Sequence, residues 1–397
     1  MKVKHAIVLS GGGFKGAFQL GAINALSQSA DRLFPDGHMF FDIVAGVSVG
    51  SLNGALLAMQ KLDALNDFWV KVAVNGTKEI FTSPFIDAES GSDEPKFKLD
   101  MEQLKNLFPG FGLPKIGLDE MIKLAFMGSK KREKYIANRI EETLKPLLKG
   151  KNALRGLADN TPLRDKLREQ LDKNAINGSQ YYCGFVSLDD GQYHSVLHSD
   201  FTSNEDFVNG VLASTAMPVV WPPVPNIGFA GRAAVNSVDG GIRNVSPLGD
   251  VVAAINRDND PDVEYRVIII NCNCGLGQED FSEGNVARIA LRALNDIAIS
   301  EIFDNDLAMF LKINDLVDQA EERGVKLMDY NHQNGQRAAR PFRSFETMII
   351  QPDAGALGDT LAMNPELYER RMAHGYAKAQ EAINQFLREQ NAQPVRA

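Results

Sequence analysis

The chain has few cysteines, no long apolar run and no excess of positive charge, and each shortage removes a class of protein. Its three cysteines, Cys183, Cys272 and Cys274, cannot build a disulfide framework. Their sparseness fits a reducing cytoplasm. Cys272 and Cys274 form a C-x-C with no further Cys or His pair to complete a tetrahedral zinc site, so they read as two thiols near the end of a core strand. Asp189, Asp190 and Asp200 lack the alternating carboxylates and glycine of a calcium loop and read as a turn and solvated surface. No metal or other cofactor is expected. No stretch approaches the roughly 18 uncharged apolar residues of a spanning helix. The run from Ala6 to Leu9 is too short for a signal-peptide core. A formal net charge of −9 argues against non-specific nucleic-acid binding. The chain also lacks internal repeats, low-complexity tracts and a clear linker.

What is present suits one large α/β domain. At 397 residues and 44% hydrophobic content the chain can fill a full core. His5 to Leu9 reads as a buried strand that meets Gly11-Gly12-Gly13 and then a helical stretch from Ala17 to Leu26. Phe41 to Ala45 is a second strand that meets Gly46-Val47-Ser48-Val49-Gly50 and a helical stretch from Leu52 to Gln60. Strands alternating with helices predict a three-layer α/β/α fold with a central, mainly parallel sheet. Further strands are expected at Tyr181 to Ser187, Tyr193 to Leu197, Val235 to Val238, Val267 to Asn271 and Met348 to Gln351. Asp189-Asp190-Gly191 reads as a hairpin turn, Glu205 to Ser214 as a helix and Pro218 to Pro225 as a proline-rich loop. The last long helix runs from about Pro365 to Arg388. Residues 1–390 form a single domain in this reading, with a short tail at 391–397. A mainly helical, basic insertion covers about 85–175. Within it Thr161 is the expected N-cap and Pro162 the first-turn residue of a helix that carries Leu163, Leu167 and Leu171 on one face.

Three glycine-bearing segments carry the chemistry. Gly46-Val47-Ser48-Val49-Gly50 between a strand and a helix has the context of a nucleophile elbow. The sharp reversal presents the Ser48 hydroxyl, and the helix N-terminus lies beneath it. Gly11-Gly12-Gly13-Phe14-Lys15-Gly16 sits in the same setting, and successive glycines can turn backbone N–H groups into one anion pocket. A phosphate-binding P-loop fails because Lys15 precedes Gly16 and Ala17 follows it. A dinucleotide fingerprint is formally met, but Ala45 to Ser48 occupy the place of its acidic residue. An oxyanion hole is therefore favoured, with N–H groups from the Gly11-Gly12-Gly13 run and Val49. Asp239-Gly240-Gly241 follows a short apolar strand. Alone it is an ordinary turn, and its weight comes from the company of the other two.

In this order the blocks resemble the patatin-like phospholipase family in its bacterial form. Ala213-Ser214-Thr215-Ala216-Met217-Pro218 resembles that family's A-S-x-A-x-P segment, and the ending around Met348–Gln351 and His374-Gly375-Tyr376 is also similar. The likeness spans roughly residues 4–385 and is weakest over the insertion. It implies a dyad in which Ser48 is the nucleophile and Asp239 its general base. It also implies phospholipids, lysophospholipids or other acyl esters as substrates, and an acyl-enzyme intermediate. An ordinary aspartate ionises near 3.9, too low for a base working on serine at neutral pH, so a desolvated setting is expected for Asp239. None of the six histidines sits in a segment that marks it as the base, though a histidine triad is defined by geometry and stays open at this point. Both variable positions of the elbow are valine where the family often has smaller or hydroxylated residues, which bears on acyl preference.

Two features keep a second reading beside the first. Residues 121–155 hold ten Lys/Arg against three Asp/Glu among apolar residues, including Lys130, Lys131 and Arg132. They read either as a solvated helix face or as a lid or docking element for an anionic membrane. Trp69 and Trp221 read as packing residues, with Trp221 also placed to line an acyl pocket. The sequence thus points to a cytoplasmic lipid acyl hydrolase, with a peripheral membrane contact as an added reading. A soluble esterase, thioesterase or acyltransferase on the same fold, and a non-catalytic lipid-binding module, are the alternatives.

Overall fold

The computed structural model describes residues 2–88, 96–97, 155–258, 262–273, 282, 289–290, 292–331 and 336–392. The strands in chain order are β1 (Lys2–Leu9), β2 (Ile43–Val47), β3 (Ile86–Asp87), β4 (Lys96–Phe97), β5 (Gln180–Ser187) and β6 (Tyr193–Leu197). They continue with β7 (Val224–Phe229), β8 (Arg232–Asp239), β9 (Val263–Ile270), β10 (Met328–Asn331), β11 (Gln336–Pro341) and β12 (Glu346–Ile350). The α-helices are α1 (Gly16–Gln28), α2 (Ala30–Leu33), α3 (Val49–Ala58), α4 (Leu62–Asn75) and α5 (Thr161–Gln170). After them come α6 (Asn204–Ser214), α7 (Leu248–Arg257), α8 (Ala298–Glu321) and α9 (Pro365–Ala392).

The first apolar run lies at the middle of the sheet, whose order is β12-β9-β1-β2-β5-β8-β7, with β6 added on β5. Strands β12, β9, β1, β2 and β5 are parallel to their neighbours, and β8, β7 and β6 join antiparallel. Side chains on a strand alternate between faces, and β1 divides its residues accordingly. Ile7 and Leu9 enter one buried cluster with Phe18, Leu56, Val72, Phe207 and Ile383, from α1, α3, α4, α6 and α9. Ala6 and Val8 enter a second cluster with Val251, Ile255, Phe303 and Phe310, from α7 and α8. Two cores on opposite faces of one mainly parallel sheet make the expected three-layer α/β/α fold.

Three local readings change. Val224–Phe229 is a strand rather than the end of a proline-rich loop. It pairs with β8 at the sheet edge, where Pro225 costs no ladder hydrogen bond to a further strand. The N-cap position of helix α5 is Asn160, whose side chain makes no capping bond, and not Thr161. Thr161 stands inside the helix, and its N–H and Oγ1 both donate to Asp159 Oδ1 at 3.0 and 2.7 Å. Leu163, Leu167 and Leu171 are buried as the spacing predicts. Helices α7 and α8 had no counterpart in the sequence reading.

Much of the expected insertion, including Lys130, Lys131 and Arg132 in the basic 121–155 segment, lies outside the described residues, as do Cys274, His332 and residues 393–397. The chain just before the expected insertion is tied to residues 157–159 within it. Thr82 and Asp159 exchange backbone hydrogen bonds of 3.0 and 2.8 Å, and Ser83 Oγ donates to the Leu157 carbonyl at 2.6 Å. Among the described residues no helix is long and apolar enough to cross a membrane.

Helices α1 and α9 cross at two glycines. A Cβ on Gly21 would stand 2.1 Å from the Met372 carbonyl oxygen, and one on Gly375 would stand 2.0 Å from that of Phe18. Only glycine at both places lets the two backbones lie in contact, and α1 begins directly after the glycine loop.

Candidate active site

The turn from β2 to α3 is strained at one residue. Ser48 has φ 57° and ψ −130°, which a residue with a side chain adopts only under constraint from its surroundings. The constraint is close backbone packing. A Cβ on Gly46 would come within 2.2 Å of the Gly50 carbonyl oxygen, and one on Gly50 within 2.2 Å of that of Leu9. The Ser48 N–H donates to Ser214 Oγ at 2.9 Å, and Ser214 Oγ donates in turn to the Gly184 carbonyl at 2.6 Å. Ser48 caps α3 without using its side chain for the cap, which leaves its hydroxyl free to point elsewhere.

Ser48 shares a cavity with Asp239, at the end of β8. Asp239 is 4% exposed and accepts the Gly241 N–H at 2.7 Å through Oδ1. Burial pushes its carboxyl up to about 7, against the Ser48 hydroxyl and the Gly241 N–H, which favour the charged form. Gly240 lies against β5, where an added Cβ would stand 2.6 Å from the Gly184 carbonyl oxygen. The Asp239 N–H donates to the Ala216 carbonyl at 2.9 Å. Ser214 and Ala216 therefore hold the serine and the aspartate from a single segment at the end of α6. The sequence showed that segment only as part of a resemblance, and its bracing role is a long-range contact with no local signature.

The glycine loop closes the other side. The Gly11 N–H donates to the Val245 carbonyl at 2.9 Å, so this amide is already engaged and Gly11 departs from the expected set of anion donors. A Cβ there would crowd the Ser48 Cβ at 3.2 Å, and the residue's part is to leave room beside Ser48. Among the described residues none accepts from the N–H groups of Gly12, Gly13 or Val49. These three remain as donors. Lys15 closes the loop with its N–H on the Gly12 carbonyl at 3.0 Å and lines neither cavity described below. Gly16 starts α1 against the Val49 and Trp69 side chains.

Two cavities open on Ser48. One is walled by Gly11, Gly12, Asp239, Asn273, Ile299 and Thr360. The other is apolar and walled by Leu52, Phe68, Trp69, Ile80, Leu163 and Trp221. Trp221 thus borders open space, while Trp69 also donates from Nε1 to Asn53 Oδ1 at 2.9 Å. No described histidine lines either cavity. His5 instead packs on Phe34 with ring centroids 4.5 Å apart, and burial lowers it to about 4. Asn273, Ile299 and Thr360 come from segments in which the sequence offered no signal. Cys272, just past β9, is a buried free thiol against Gly12. Among the described residues no group of three or more His, Cys, Asp or Glu could hold a metal ion.

The model of the patatin-like phospholipase family matches residues 7–252, more than half of the chain. The chain belongs to the patatin-like phospholipase family. The patatin-like match takes in the glycine loop, Ser48, the 213–218 segment and Asp239, and ends before Asn273, Ile299 and Thr360. Membership supports a lipid acyl hydrolase and a lipid substrate at the level of the family. Among solved structures, "Crystal structure of VipD from Legionella pneumophila" is similar to 96% of this chain and 67% of its own, at 15% identity and a TM-score of 0.36. At that score the likeness bears on nothing further. Among curated proteins none matches the chain.

Proposed function

We propose that this patatin-like protein is a serine hydrolase that cleaves acyl esters by two-step acyl transfer at Ser48, with Asp239 as its general base. The observation that carries the reading is that Ser48 and the buried Asp239 carboxyl, raised to about 7, line one cavity that no described histidine lines. A base whose ionisation lies near the working pH transfers protons well in both directions. Ser48 Oγ bonds to the ester carbonyl carbon as its proton passes to Asp239. The tetrahedral oxygen takes hydrogen bonds from Gly12, Gly13 and Val49, each donor of this kind contributing about 3 kcal/mol. The C–O bond to the alcohol breaks, and the alcohol leaves with the proton from Asp239. Water then attacks the acyl-enzyme, gives its proton to Asp239, and the acid leaves as Ser48 regains that proton.

The apolar cavity suits the acyl chain, and the cavity beside Asn273 and Thr360 suits the leaving group. Phospholipids, lysophospholipids and other acyl esters share that bipartite shape. Residues 1–390 are read as one domain with an insertion at about 85–175, of which Leu157 and Asp159 are bonded to Thr82 and Ser83 just before it. A peripheral membrane contact through 121–155 rests on the basic and apolar composition of that segment.

The test is hydrolysis of a short-chain p-nitrophenyl ester beside a medium-chain phospholipid by wild type, Ser48→Ala and Asp239→Asn. Turnover by wild type that both substitutions abolish supports the dyad. The preferred substrate separates a lipase from a soluble esterase. Full activity of either variant rejects the dyad. Wild type that is inert on both and unlabelled by a fluorophosphonate is a binding module.

A further inference from the structure

The glycine loop is held from outside the region that the family match covers. Asn273 Nδ2 donates to the Gly11 carbonyl at 2.7 Å, and the Phe14 N–H donates to the Thr360 carbonyl at 2.9 Å. These two contacts grip the loop on either side of Gly12 and Gly13. The Thr360 segment is in turn gathered by one side chain. Arg371 on α9, 0% exposed, donates from Nε to the Leu357 carbonyl at 2.8 Å, from Nη1 to that of Ala362 at 2.9 Å and from Nη2 to that of Asp359 at 2.7 Å. Guanidinium donors lie in one rigid plane, so three carbonyls bound to it have fixed relative positions. Helix α9 is itself fixed on α1 by the Gly21 and Gly375 crossing, one residue of which lies four positions beyond Arg371.

We infer that Arg371 and Asn273 are positioning residues for the anion pocket, setting the Gly12 and Gly13 N–H groups from the C-terminal part of the chain. The inference rests on the reading of these amides as the oxyanion donors. Arg371 acts through the 357–362 segment and the Thr360 carbonyl, and Asn273 acts through the Gly11 carbonyl. Neither takes part in proton transfer, so their loss alters the stabilisation of the tetrahedral oxygen while leaving Asp239 as it is.

The experiment compares wild type with Arg371→Met, Arg371→Lys and Asn273→Ala on one p-nitrophenyl ester, with fluorophosphonate labelling of Ser48 and a thermal melt for each. The expected result is a fall of about 10- to 100-fold in kcat at unchanged KM. Labelling slows in parallel, because the phosphonyl oxygen uses the same pocket, and the midpoint of the pH–rate profile does not move. Arg371→Lys, with its charge kept and fewer donors, falls less than Arg371→Met. If Arg371→Met does not fold, Asn273→Ala and Arg371→Lys decide. Both at wild-type kcat and labelling rate would overturn the inference, as would a shifted pH midpoint, which would place the damage at Asp239. Wild type that is not labelled at all refutes the nucleophile reading itself, and that outcome is separate from the other two.

Discussion

The backbone N–H of Ser48 donates to the hydroxyl of Ser214, 166 positions away in the chain, at 2.9 Å. The bond adds to the backbone packing that constrains a serine with φ 57°. Ser214→Ala removes the acceptor and leaves a buried N–H unpaired, at a cost of about 1–3 kcal/mol. The expected outcome is a lower melting temperature and a kcat reduced about 100-fold, the scale of a small misplacement of the nucleophile. A variant that loses stability but keeps its kcat would show that the elbow holds itself.

The proposed role of Asp239 gives a pH dependence whose sign follows from its burial. Its carboxyl is raised from the ordinary 3.8 to about 7, and a carboxyl acting as general base works only when ionised. The rate at limiting ester therefore rises with pH through about 7 and then levels. Stability moves the other way. The folded state holds this proton more tightly than the unfolded chain, so the group's contribution is complete below about 4 and is lost as pH rises through about 7. Asp239→Asn has no such charge to bury. Urea midpoints at pH 5 and pH 8 should fall more in wild type than in the variant.

The elbow glycines tolerate no side chain. Gly46→Ala puts a methyl group 2.2 Å from the Gly50 carbonyl oxygen, which forces β2 and α3 apart. A destabilisation of about 1–3 kcal/mol is expected, together with loss of Ser48 labelling. Normal labelling would mean that the turn relaxes without moving the nucleophile.

Leu163 lies on the wall of the apolar cavity, on a helix of its own rather than on the sheet. Leu163→Trp fills space there. Hydrolysis of short-chain esters should persist, while each methylene that no longer fits lowers kcat/KM by about fourfold. A series of p-nitrophenyl esters from butyrate to laurate reads the effect directly. An unchanged chain-length profile would place the acyl chain elsewhere.

The parts of the fold legible in the sequence are those set by neighbours in the chain. The run before Gly11, the elbow around Ser48 and the strand before Asp239 show themselves because a strand, a glycine turn and a helix follow one another within a few residues. Where a residue depends on a distant partner, the sequence is silent or misleads. Gly11 reads as an anion donor like its neighbours, but its N–H goes to Val245. Thr161 has the right chemistry for a cap, and Asp159 draws its hydroxyl away. Pro225 reads as a loop residue because a central strand would exclude it, and only the sheet order shows that β7 is an edge. Ser214, Asn273 and Thr360 act through hydrogen bonds to residues far away in the chain, and Arg371 through three bonds to backbone carbonyls of an irregular segment, and neither leaves a periodicity or spacing to find. The basic 121–155 segment lies outside the described residues except for Arg155, which donates from Nη2 to Asn236 Oδ1 at 2.7 Å.

The crossing of α1 and α9 at Gly21 and Gly375 also sets a timetable for synthesis. Helix α1 leaves the ribosome roughly 350 residues before the part of α9 that covers it, which at about 5–20 residues per second is on the order of tens of seconds. During that interval the face of α1 that α9 later covers has no partner, while its other side can already pack on α3 and α4. The turn at Ser48 can form in the meantime, but the contacts from Thr360 and Arg371 that brace the glycine loop wait for the later segment.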